Sequence, residues 1–101
     1  EKVTVNYDIG NSAALGYDPI EELNTFGKLI SDVHIKDRVL GGGPIMLGDG
    51  NADFDICIAK LKEIGYRGPY IMQAYRDEEG VNIFKSQLDW FLKKREKINA
   101  R

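Results

Sequence analysis

The sequence predicts an α/β fold, three βα units of a (β/α)8 TIM barrel that form an incomplete barrel fragment. Three observations carry this reading. Apolar, β-branched runs alternate three times with segments of helical periodicity, and such alternation implies parallel strands joined by crossovers. Side-chain parity is consistent in all three runs: Val3, Val5 and Tyr7 oppose Thr4, Asn6 and Asp8; Val33 and Ile35 oppose His34 and Lys36; Tyr70 and Met72 oppose Ile71, Gln73 and Tyr75. In the first two strands the opposing set is polar, whereas a flat doubly wound sheet covers both faces with helices and keeps both apolar. A polar second face fits the interior of a barrel near its catalytic mouth. Three units cannot close eight strands, so the chain reads as part of one.

The elements follow in order. The first strand, Val3–Asp8, alternates apolar and polar residues. Asp18 then caps a helix with Pro19 at its first position and Glu21 three residues on, a capping-box pattern. Ile20, Leu23, Phe26 or Gly27, and Ile30 make its buried stripe. The second strand is Val33–Asp37. Gly41-Gly42-Gly43-Pro44 lacks the lysine and Ser/Thr of a P-loop and does not lead directly into a helix, so it reads as a flexible loop at the mouth. Gly48-Asp49-Gly50-Asn51 precedes the next helix. Its amides either face an anion or simply form a turn, with Asp53 as N-cap. That helix buries Phe54, Cys57, Ile58, Leu61 and Ile64 and stops at Gly65. Tyr66 to Pro69 turn the chain into the third strand, Tyr70–Tyr75. The last helix starts near Val81 with Phe84, Leu88, Phe91 and Leu92 on one face, and Lys93, Lys94, Arg95 and Lys97 suit the dipole at its solvated end.

Composition narrows the function. With 101 residues there is room for one small domain, and 43% hydrophobic content supports a packed core. A net charge of −2 with interspersed signs argues against nucleic acid as a partner. Cys57 is the only cysteine, which rules out an internal disulfide and points to a reducing, cytoplasmic compartment. No apolar run is long enough to span a bilayer and no signal segment opens the chain, so no membrane partner is expected. The chain starts almost directly inside a strand, as a fragment would. Its units, taken alone, leave strand edges and one sheet face uncovered, so self-association or a complementary barrel half is expected.

Two strand ends carry potential metal ligands, Asp8 and His34, one βα unit apart and able to lie side by side. The plainer readings are a loop or helix-capping aspartate and a satisfied core or rim histidine. Lys36 shares their face and either contacts an anionic oxygen such as a phosphate's or is a buried charge paired with Asp8 or with a carboxylate upstream. Asn11 either hydrogen-bonds a ligand hydroxyl or supports the turn after Gly10. Arg76 closes the third strand, as a contact for a substrate phosphate or carboxylate or in a rim salt bridge with Asp77 or Glu78.

Four runs occur in order at βα spacing: Asp8-Ile9-Gly10-Asn11, His34-Ile35-Lys36-Asp37, Leu47-Gly48-Asp49-Gly50-Asn51-Ala52-Asp53-Phe54 and Ile64-Gly65-Tyr66-Arg67-Gly68-Pro69-Tyr70. Through them the chain resembles the C-terminal portion of sugar-phosphate isomerases and epimerases of the xylose isomerase-like barrel superfamily. The pattern is close to hexulose-phosphate isomerases and ribulose-phosphate 3-epimerases. The resemblance implies that residues 1–101 supply the sixth to eighth units of one barrel domain. It also implies a divalent metal ion (Mn, Co, Zn or Mg), held by two glutamates, an aspartate and a histidine, with the glutamates moving protons through an enediolate. By position Asp8 matches the aspartate and His34 the histidine, and the first glutamate lies upstream. The second is replaced by Gln73, whose carbonyl oxygen still coordinates a hard cation but whose amide cannot act as a base.

The implied function is isomerisation or epimerisation of a sugar or sugar phosphate once the barrel is complete, with the isolated fragment inactive. Lys36 and Gln73 are the catalytic candidates, Asp8, His34 and Gln73 the metal candidates, and Asn11, Lys36 and Arg76 the substrate contacts; Asn11 stands where some epimerases have a sugar-binding histidine. Two alternatives remain open. Apurinic endonucleases of the endonuclease-four type share the barrel but need more histidines, and Arg38 to Leu47 contains none. A binding or structural role without metal chemistry is the other, and metal analysis of the full-length protein discriminates it.

Overall fold

The computed structural model describes residues 3–75 and 80–100. Its elements run β1 (Val5–Asp8), α1 (Ile9–Ala14), α2 (Pro19–Phe26), β2 (Ile30–Ile35), β3 (Asp37–Arg38), β4 (Pro44–Ile45), α3 (Phe54–Glu63), β5 (Tyr70–Met72) and α4 (Val81–Asn99). Among the described residues β1, β2 and β5 form one parallel sheet in that spatial order. Strand order thus follows chain order, as it does around a barrel wall. The register pairs Asn6 with Asp32, Tyr7 with Val33 and Asp8 with His34, then His34 with Ile71 and Ile35 with Met72.

The expected parity holds. Tyr7, Val33 and Ile35 are buried with Leu23, Phe54, Cys57, Ile58, Leu61 and Phe91, and Tyr70 and Met72 pack partly against them. On the other face Asn6 and Gln73 are exposed, Ile71 is 39% exposed, and Asp32, His34 and Lys36 are half-buried. The helices therefore cover one side of the sheet only.

Local rules placed most helix ends. Asp18 Oδ1 accepts from the Ile20 amide at 3.0 Å with Pro19 in the first turn, although no bond returns from Glu21 to the Asp18 amide. Asp53 caps α3 through the Ile56 amide at 3.0 Å, and Gly65 follows the helix with φ +78°, a conformation that favours glycine.

Several expectations are corrected. β1 starts at Val5, since Val3 is 78% exposed, and β5 stops at Met72 rather than Tyr75. Helix α2 ends before Gly27, so Ile30 opens β2 instead of closing the helix stripe. Asp37 leaves the second strand and pairs with Ile45 in the β3–β4 ladder. Ile20 (45% exposed) and Leu92 (48%) face away from the core. Within α4 a polar residue occupies a buried place: Gln87, which accepts from the Leu47 amide at 2.9 Å and donates to the Tyr75 carbonyl at 2.6 Å. Fully paired, its amide is stable inside.

Helix α1 was not expected. It has six residues and no amphipathic repeat, and Gly10 lets it lie against the chain just past β2: a Cβ there would lie 2.7 Å from the carbonyl carbon and oxygen of Lys36. The glycine loop is also not free. The Gly41 amide donates to the Ala14 carbonyl at 2.8 Å, and Arg38 donates to the Gly42 carbonyl from Nε at 3.0 Å and Nη2 at 2.7 Å.

The amides of the Gly48–Asn51 turn do face an anion, but one belonging to the chain. Asp37 is fully buried; its Oδ2 accepts from Gly48 at 2.9 Å and Gly50 at 3.0 Å, and its Oδ1 from Arg38 at 2.9 Å and Ala52 at 3.0 Å. Gly50 permits this approach, since a Cβ there would collide with the Asp37 carboxylate and sit 2.6 Å from the Arg38 carbonyl oxygen.

Burial, with smaller contributions from the Asp53 and Glu22 charges, pushes the Cys57 thiol up to about 12. A raised folded-state pKa favours the protonated form. Its contribution to stability is complete below the ordinary thiol range and is lost as pH rises through that range towards the folded value. The folded chain should therefore resist iodoacetamide at about pH 8, where an exposed thiol reacts readily. Alkylation as fast as that of a free cysteine would show Cys57 to be accessible.

Candidate functional site

The carboxyl ends of β1, β2 and β5 collect most of the singled-out residues. Asp8 and His34 are register partners on adjacent parallel strands. The Gln73 amide donates to the Ile35 carbonyl at 3.0 Å, which continues the β2–β5 ladder one step beyond Met72 and puts Gln73 level with Lys36. Lys36 lies against Gly10 and has no ion pair among the described residues, so the pairing with Asp8, one of its plainer readings, is not formed. Arg76 lies outside the described residues.

Asp8 is the N-cap of α1, its Oδ1 accepting from the Asn11 amide at 2.8 Å. Capping uses one carboxylate oxygen, and Oδ2 has no hydrogen-bond partner among the described residues. Asn11 turns its own Oδ1 to Arg38, accepting from Nη1 at 3.0 Å. Arg38 thereby ties α1 to the glycine loop.

His34 is held from below. Its Nε2 lies 3.1 Å from Asp32 Oδ2 and 2.9 Å from Asn6 Nδ2. Asn6 and Asp32 are themselves register partners, one layer deeper than Asp8 and His34 on the same face. Sequence reasoning missed Asn6, Asp32 and Arg38 as site residues. The alternation of the first strand already put Asn6 on the polar face, but Asp32 lies before the expected second strand, Val33–Asp37, and enters β2 only in the structure; nothing local marked Arg38.

The donors fit a divalent cation in kind: a carboxylate oxygen from Asp8, a ring nitrogen from His34 and an amide oxygen from Gln73. Three such donors are fewer than a divalent cation of this kind takes up. Among the described residues no cluster of three or more His, Cys, Asp or Glu side chains stands ready to hold a metal.

A one-sided parallel sheet with a polar mouth of this kind defines a barrel wall, and the chain belongs to the xylose isomerase-like TIM barrel family, whose pattern matches residues 1–94. It is similar to L-ribulose-5-phosphate 3-epimerase UlaE of Salmonella paratyphi C, with 38% identity over 69% of this chain and 25% of the epimerase. It is also similar to inosose dehydratase of Geobacillus kaustophilus, with 35% identity over 70% of this chain and 29% of the dehydratase. Among solved structures, a xylose isomerase domain protein from Planctomyces limnophilus superposes with a TM-score of 0.78 at 26% identity, over 97% of this chain and 39% of that one. The chain thus spans about a quarter of the length of the curated relatives it matches. No helix among the described residues is long and apolar enough to cross a membrane.

Proposed function

We propose that residues 1–101 are the C-terminal part of a barrel domain that isomerises a sugar or sugar phosphate by proton transfer through an enediolate. The pairing of Asp8 with His34 at the carboxyl ends of adjacent parallel strands, on the face away from the core, supports this reading best. Asp8 Oδ2, His34 and the Gln73 amide oxygen would hold a divalent ion such as Mn²⁺, Co²⁺, Zn²⁺ or Mg²⁺. Such an ion, when bound, polarises the sugar carbonyl and hydroxyl. Lys36 faces the same space and serves as a second proton-transfer or oxygen-binding group, with Asn11 and Arg76 as hydrogen-bonding contacts to the sugar. A phosphodiesterase is less well supported, because His34 is this chain's single histidine. The lone, buried Cys57 supports a reducing, cytoplasmic setting.

Gln73 decides between isomerisation and epimerisation in this proposal. An amide accepts no proton at working pH, so proton transfer depends on a single glutamate supplied from upstream, with Lys36 as helper. One base returns a proton to the face it left, which suits aldose–ketose isomerisation; inversion at C3 needs groups on both faces. Turnover in deuterated water, followed by NMR with ketose substrates, should show isomerisation dominating, and Gln73→Glu should raise C3 inversion relative to it. Efficient inversion by the unsubstituted enzyme, unchanged in Lys36→Met, would sink the idea.

The uncovered edges of β1 and β5 lead us to propose that further barrel wall, from another segment or a second copy, covers them. Sedimentation of the 101-residue chain as a stable, cooperatively unfolding monomer would refute this.

A further inference from the structure

We infer that Asp32 is a positioning residue that keeps the His34 ring hydrogen on Nε2 and so leaves Nδ1 as the lone pair available to a cation. The inference deepens the proposed function and rests on its assignment of His34 as a ligand.

A neutral imidazole has one N–H and one lone pair, and each ring nitrogen has a single in-plane site for one or the other. Both polar neighbours of His34 converge on Nε2, Asp32 Oδ2 at 3.1 Å and Asn6 Nδ2 at 2.9 Å. They make opposite demands. An ionised carboxylate only accepts, so Asp32 requires a hydrogen on Nε2. Asn6 in its assigned orientation donates, and requires a lone pair there.

The two are not equal competitors. A half-turn of the Asn6 side-chain amide exchanges its nitrogen for its oxygen at nearly the same position, so Asn6 can satisfy either tautomer. Asp32 has no such freedom. Its other oxygen, Oδ1, is held by the Ser31 hydroxyl at 2.9 Å, and with a lone pair on Nε2 its Oδ2 would face that lone pair without a hydrogen between them. The side chains are only 15% (His34) and 21% (Asp32) exposed, so water relieves that repulsion poorly. On the β5 side the register partner of His34 is Ile71, whose side chain offers no hydrogen bond. Nδ1 has no partner among the described residues.

The consequence is directional. With the hydrogen pinned below by a carboxylate one layer deeper, the free lone pair lies on the other ring nitrogen. A carboxylate behind an imidazole ligand also raises its basicity and fixes its orientation, and loss of such a partner typically weakens metal binding by about 10–100-fold.

Long-range ¹H–¹⁵N correlation on the full chain tests this directly, because its single histidine gives one set of ring signals. In the neutral ring the shifts should place the hydrogen on Nε2. Asp32→Asn, which keeps an accepting oxygen, should retain it there; Asp32→Ala should give a mixture of tautomers and a Mn²⁺ affinity lower by about 10–100-fold. A hydrogen on Nδ1 in the unsubstituted chain overturns the inference, as does Asp32→Ala with an unchanged tautomer or unchanged Mn²⁺ affinity. Should Asp32→Ala not fold, the unsubstituted chain and Asp32→Asn still decide. If the hydrogen sits on Nε2 but the protein with its barrel completed takes up no Mn²⁺, the role of Asp32 in orienting the ring stands and the metal reading of the site fails.

Discussion

Asp37→Asn is expected to lower the unfolding free energy by about 4 kcal/mol, the largest stability effect of any single substitution proposed for this chain. The carboxylate accepts four backbone N–H groups, two on each oxygen, in a site with no solvent exposure. Asparagine keeps one oxygen and presents an NH₂ group to the other two amides. Two buried donors then lose their acceptor and face another donor, at about 1–3 kcal/mol each. For a domain of this size that corresponds to a fall in Tm on the order of 20 °C. Urea titration should show a lower midpoint with an unchanged slope. Gly50→Ala should act on the same clamp by pushing the turn off the carboxylate, and the two substitutions should be strongly non-additive because they share one set of bonds. A midpoint for Asp37→Asn within about 1 kcal/mol of the parent would mean the four bonds are not formed together in solution.

His34→Ala is expected to remove bound metal and to lower kcat/KM by at least about 10³-fold, the loss of roughly 4 kcal/mol of transition-state stabilisation that a polarising ion supplies. The fold should survive. The side chain is half-buried on the uncovered face, touches Asn6 and Asp32, and takes no part in the core behind the sheet. Metal content by elemental analysis, measured beside a far-UV spectrum, separates the two effects. A folded variant with full metal content would strike His34 from the ligand set, and with it the arrangement that supports the proposed chemistry. Asp8→Ala is a weaker test, because it also removes the cap of α1.

What the sequence determined by itself is what depends on neighbouring residues along the chain. Period-two alternation in Val3–Asp8, Val33–Asp37 and Tyr70–Tyr75 identified the strands and, in the first two, which face is polar, and strand–helix alternation made them parallel. Asp18, Asp53 and Gly65 marked helix ends because capping is a matter of one or two residues. The presence of Asp8 and His34 at adjacent strand ends was legible for the same reason. What only the tertiary structure decided depends on contacts between distant segments. Alternation put Asn6 on the polar face, but Asp32 joins it only because β2 starts at Ile30, and their convergence on one ring nitrogen of His34 requires the β1–β2 register. Helix α1 carries no periodic signal and forms because Asp8 caps it and Gly10 fits against Lys36. Ile20 and Leu92 are exposed because no partner meets their side of the helix, a fact no helical period contains. The clearest case is Asp37. In sequence it is the last residue of a strand beside a glycine-rich stretch that invites an external anion; in the fold its carboxylate is that anion, because burial of a charge is tolerable only where enough donors converge on it, and three of the four donors come from a turn eleven to fifteen residues away.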